Sequence, residues 1–162
     1  MVSPVGSNRL PLRTYINTSK HEKNTHIYYG ASEHFLRKHS RQGRAAAAQE
    51  MYVACSRFTS ALDEMNSILA GVYNKQTADA AAAPLKAAAI EFFTQLQVIQ
   101  GIEPDGPVDS ATEQRIMALL AKAEKGQVTF QAHCERLGDN ACYGSEKMIQ
   151  ALLFIGSLGE QI

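Results

Sequence analysis

Three cysteines and five histidines are the residues best suited to chemistry in this chain of 162 residues. Cys55 falls within a run of regularly spaced apolar residues, where a thiol acts as a small apolar group. A reactive thiol needs exposure and a cationic neighbour. Arg57, two residues along a helix, points elsewhere. Cys134 and Cys142 flank the turn Gly138-Asp139-Asn140, and a disulfide between them is conceivable across that turn. The alternative is two reduced thiols, because the cysteine count is odd and nothing marks an oxidising compartment. His133 beside Cys134 suggests a nucleophile and base. Neighbours on a helix diverge by about 100°, so the two cannot serve each other.

His21, His26, His34 and His39 could supply metal ligands, but His34 and His39 are five apart rather than four. The chain also lacks the Glu-x-x-His pairs of a di-iron bundle. The acidic pairs Asp63-Glu64 and Glu103-x-Asp105 read as solvated positions. No catalytic residue, metal ligand or cofactor is therefore assigned, although metal- or thiol-dependent activity remains one alternative.

Charge gives a stronger signal. The chain is neutral overall, yet residues 1–44 carry eight Lys or Arg against two Glu, a net of +6, and the remainder carries −6. Arg37, Lys38, Arg41 and Arg44 recur at three- and four-residue steps and form one cationic stripe if helical. Tyr15, Tyr28, Tyr29 and Phe35 are interspersed and could stack on bases. Such an arm could bind nucleic acid, an anionic membrane surface or the acidic body of the same chain. No run of eighteen apolar residues occurs, so no membrane span is expected. The first residues lack the apolar core of a signal peptide, which leaves the cytoplasm as the default compartment.

Two seams must position all of this. Ala48, Met51, Cys55, Phe58, Leu62, Met65, Leu69 and Val72 alternate at three and four residues. So do Ala78, Ala82, Leu85, Ala89, Phe92, Leu96 and Ile99. Spacing of this kind predicts two helices packed on each other. The first is expected from about Arg44 to Tyr73 and the second from about Ala78 to Gln100, with Thr77 as its cap. Pro84 should kink or interrupt the second. Gln100–Val108 holds two Gly and two Pro and should be a break.

A third helix follows, opened by Asp109 or by the capping box Ser110–Glu113. Its seam is Ile116, Leu120, Ala123, Gln127, Phe130, Cys134 and Leu137. A bend is expected at Gly126, and a left-handed stop at Gly138. Ser145 caps a short apolar fourth helix that ends near Ser157.

The expected fold is all-α: an up-down bundle of three long helices plus one short C-terminal helix over residues 44–162. Residues 1–43 form the basic arm, in which Leu12–Ile16 and His26–Tyr29 are compatible with a short hairpin. With no constellation for catalysis, the expected function is non-enzymatic binding of a protein partner or of a second copy. Nucleic-acid binding through Arg37, Lys38, Arg41 and Arg44 is the alternative.

Overall fold

The computed structural model describes residues 41–102 and 108–161. The hairpin expected within residues 12–29, the helix near residues 33–40, and the four arm histidines lie outside the described residues. So do Arg37, Lys38, Glu103 and Asp105.

Four α-helices follow one another: α1 (Arg41–Ala70), α2 (Lys75–Gly101), α3 (Ser110–Asp139) and α4 (Glu146–Glu160). No strand occurs among the described residues. The chain is therefore an all-α up-down bundle of three long helices and a shorter fourth. Every residue of the α1 and α2 seams is buried. Phe58 and Phe92 stack across the α1–α2 contact with ring centroids 4.4 Å apart. Burying such a side chain stabilises by roughly 1.5–3 kcal/mol, so the paired seams are the main source of cohesion.

The two central helices are α1 and α2. α3 packs chiefly on α1, and α4 chiefly on α2. α1 and α3 run parallel with a constant offset, since Lys122 pairs with Asp63 at 2.5 Å and Asn66 donates to the Gly126 carbonyl at 2.9 Å. α4 lies along α2 in the same sense, with Ser145 beside Asp79 and Lys86 over the Phe154 ring.

Local structure departs from the sequence expectations at the cap of α2 and at the end of α3, and elsewhere it decides between the alternatives the sequence offered. The cap of α2 is Asn74 rather than Thr77: Asn74 accepts from the Thr77 amide, and Thr77 Oγ1 accepts from the Asn74 amide. Thr77 is thus the third residue of a reciprocal capping box. The cap of α3 is Asp109, which accepts from the Thr112 amide at 2.9 Å. α2 runs unbroken through Pro84, where the ring is exposed. One absent amide does not outweigh the apolar face buried on both sides of it.

α3 likewise passes through Gly126 as a single helix, because that glycine meets α1 closely. Gly138 stays helical. The left-handed backbone falls instead on Ala141, Cys142, Tyr143 and Gly144, with φ of 48°, 51°, 54° and 74°. Each non-glycine residue held this way costs roughly 1–2 kcal/mol. Fully buried Cys142 and half-buried Tyr143 offset that cost by packing against the core.

Ser145 caps α4 as expected, accepting from the Met148 amide at 3.0 Å. Its hydroxyl donates in turn to Asp79 at 2.5 Å, which ties α4 to the N-terminal part of α2. Hydrogen bonds from Lys75 and from Ser145 hold the Asp79 carboxyl below its ordinary range. The unfolded chain, with an aspartate near 3.9, then binds more protons than the folded one as pH falls through this window. The contribution of Asp79 is present above about pH 5 and is lost as pH drops through its folded pKa. Denaturation midpoints followed from pH 6 to pH 2 should show a smaller decline in Asp79→Asn than in the parent. Equal slopes would remove this tie from the account.

Candidate functional site

The cysteines are set by the seams that carry them. Cys55 lies inside the α1–α2 core, and burial pushes its thiol up to about 12. Cys134 is pushed up to about 12 by burial, with smaller contributions from neighbouring Cys142 and from Glu135. Burial also raises Cys142. All three are buried free thiols. Cys134 and Cys142 are brought to the same junction by the left-handed turn. Thiols in such surroundings are protonated at neutral pH and are poor nucleophiles.

His133 has a different neighbour. Its Nδ1 lies 3.4 Å from Arg136 Nη2. Burial, and then the Arg136 charge, lower its pKa. The ring is neutral at pH 7, and it faces a cation rather than Cys134. Among the described residues, no group of three or more His, Cys, Asp or Glu is placed to hold a metal ion.

Arg136 is the feature that the sequence did not single out. From the last turn of α3 its Nη1 donates to the Val72 carbonyl at 2.6 Å, and its Nη2 to the Leu69 carbonyl at 2.7 Å. Nη1 also donates to the Tyr143 hydroxyl at 3.2 Å. The carbonyls at the end of a helix have no partner within it and carry its partial negative charge. The planar fork of a guanidinium matches two such acceptors. This is a structural clamp joining α1, α3 and the left-handed turn, and both terminal nitrogens donate within the protein. The available signal was an Arg on the solvent side of the α3 seam; its target sits 64 residues away in sequence.

The outer surfaces complete the inventory. Arg41 and Arg44, from the cationic stripe, fall in the first turn of α1. Ile90 on α2, Val128 on α3 and Leu153 on α4 are exposed. Asp63, expected to be solvated, pairs with Lys122 and ties α1 to α3. Among the described residues, no helix is long and apolar enough to cross a membrane. Comparison with protein-family models, with curated proteins and with solved structures found no match to this chain.

Proposed function

We propose that this chain is a non-enzymatic helical-bundle protein that works by binding another protein through the outer face of α2, with a second copy of itself as the leading partner. The supporting observation is the make-up of that face. Ala80, Ala83, Ala87, Ile90, Thr94 and Val98 recur at three- and four-residue steps along it, and all six are exposed. Ile90 is 51% accessible and Val98 37%. A solvated helix face is ordinarily dense in charge, and none of these six residues is charged.

The face is also self-complementary in shape. If two copies pair antiparallel about a point between Ala87 and Ile90, Ile90 of one meets Ala87 of the other. Thr94 then meets Ala83. Small residues opposite larger ones allow close helix approach, and such an antiparallel pair has two-fold symmetry, the commonest symmetry among soluble oligomers.

Light scattering across a concentration series tests this reading. The parent should shift from monomer towards dimer as concentration rises, and Ile90→Glu should remain monomeric at about ten times the parent's midpoint concentration. A parent that stays monomeric at every concentration, with Ile90→Glu indistinguishable from it, would exclude self-association.

Nucleic-acid binding is the second reading. Arg41 and Arg44 lie in the first turn of a continuous helix. Together with Arg37 and Lys38 they would contact phosphates, with affinity falling steeply as salt rises. A titration with single- and double-stranded oligonucleotides at low salt that shows no binding sinks this reading.

A further inference from the structure

We propose that the N-terminal basic segment, residues 1–40, docks on its own body along an acidic and apolar stripe of α3. The stripe is Glu113, Met117, Leu120, Glu124, Val128, Gln131 and Glu135. The three glutamates are eleven residues apart, as are Met117 and Val128. Eleven residues make three turns at 3.67 per turn, so each set lies on one line along the helix. Arg115 and Lys122 are seven residues apart and Arg136 follows fourteen later, so they fall on the opposite flank, where Lys122 and Arg136 reach across to α1, while Lys125 lies between the two sides. Apart from Lys125, charge on α3 is therefore sorted by side.

Glu113, Met117, Glu124, Val128 and Glu135 of this stripe are exposed among the described residues. Met117 is 44% accessible and Val128 56%. Leu120 belongs to the α3 seam yet is only half-buried. The surface presents an apolar line interrupted at regular intervals by carboxylates, which suits a segment of basic and apolar character.

Residues 1–40 have that character. They carry six Lys or Arg against two Glu, a net of +4, while the rest of the chain carries −4. Tyr28, Tyr29, Phe35 and Leu36 supply apolar groups among the cations. Placement agrees with composition. Residue n of α1 lies beside residue n + 60 of α3, since Asp63 meets Lys122 and Asn66 meets Gly126. Ser110, the first residue of α3, is thus level with about Glu50. Arg41 lies nine residues earlier, about 14 Å along the axis at 1.5 Å per residue. The segment leaves α1 beyond the Glu113 end of α3, about 18 Å from Glu113 along the axis, and forty residues suffice to pass round α3 and run the length of the stripe.

The test uses the full chain and zero-length carbodiimide cross-linking, which joins amines to carboxylates in direct contact. An equal mixture of unlabelled and nitrogen-15-labelled protein separates links within a chain from links between chains. Lys20, Lys23 or Lys38 should join Glu113, Glu124 or Glu135 within one chain. Those links should fade in about 0.5 M salt, where exposed charges are screened. Lys75–Asp79 and Lys122–Asp63, in contact in the fold, serve as internal controls.

A second measurement does not depend on the cross-linker's own acceptors. In the variant Glu113→Gln, Glu124→Gln, Glu135→Gln, all surface changes, trypsin should cut at Lys20, Lys23 and Arg37 about tenfold faster than in the parent. Docking is overturned if the arm lysines link equally to Glu64, Glu91 or Glu146, if they link only between chains, or if the controls link and the arm does not. Equal cleavage rates in parent and variant overturn it as well. These readouts differ from the dimer midpoint that tests the α2 face, so either idea can fail without the other.

Discussion

Arg136→Ala should lose about 2–4 kcal/mol of folding stability, read as a lower denaturant midpoint with an unchanged slope. The guanidinium donates to the Leu69 and Val72 carbonyls at 2.7 and 2.6 Å. Hydrogen bonds from a charged donor contribute about 1.5–3 kcal/mol each. The two here share one side chain and its ordering entropy, which argues for less than twice that figure. Truncation removes the guanidinium from both carbonyls; Leu69 keeps the Val72 amide as donor, and the Val72 carbonyl loses its Arg136 bond. It also removes the donor to Tyr143, which supports the left-handed turn.

Arg136→Lys separates geometry from charge. An ammonium keeps the favourable interaction with the helix terminus but cannot present the planar fork. It should recover less than half of the loss. Tyr143→Phe removes only the weaker, 3.2 Å bond and should cost about 1 kcal/mol or less. A loss below about 0.5 kcal/mol in Arg136→Ala would mean that water replaces the clamp.

Gly126→Val should be as damaging, at about 3 kcal/mol, because α3 lies close against α1 at this glycine. A Cβ there would stand 2.9 Å from Leu62 Cδ2 and 3.2 Å from Leu62 Cγ. Leu62 is 2% accessible, so it has little room to withdraw. The Asn66 amide also donates to the Gly126 carbonyl, which fixes the separation of the two backbones. Overpacking of this kind costs roughly 1–3 kcal/mol, and a branched side chain adds further crowding.

Gly126→Ala sets two effects against each other. Alanine gains up to about 1 kcal/mol in helix propensity over glycine, while its methyl group forces Leu62 aside. The net should be a loss of about 1 kcal/mol. A double-mutant cycle with Leu62→Ala isolates the clash. Removing Leu62 alone costs about 2–5 kcal/mol through the cavity it leaves, and adding Gly126→Ala to that background should be neutral or stabilising. If Gly126→Ala instead stabilises the parent, the close approach is softer than these distances imply.

Both proposals rest on surfaces. The thiols are buried and held in their protonated form, and both terminal nitrogens of Arg136 donate within the protein. The proposed faces are the six uncharged exposed positions of α2 and the carboxylate side of α3. Ile90→Glu tests the first and the three Glu→Gln changes test the second, all at exposed positions.

The sequence by itself determined the helices, because burial of a regular apolar stripe is a local property of spacing. Ala48 to Val72 and Ala78 to Ile99 show it without exception: every seam residue is buried. The α3 seam was legible but overstated. Leu120, Gln127 and Phe130 are only half-buried, since α3 packs chiefly on one helix rather than between two. Caps were legible where side chain and backbone are neighbours, as at Ser145, and ambiguous where two polar residues compete, as at Asn74 and Thr77.

Only the tertiary structure decided the rest. Gly126 reads as a weak point in a helix until Leu62 is set opposite it. Gly138 is the expected left-handed stop, yet Ala141 to Gly144 adopt that backbone because the chain must turn there to bring Cys142 into the core and Ser145 to Asp79. Arg136 reads as a solvated cation until the end of α1 is brought to it. Each of these contacts joins residues about sixty apart in sequence. Its energy depends on distances between helices, which no local pattern of residues records.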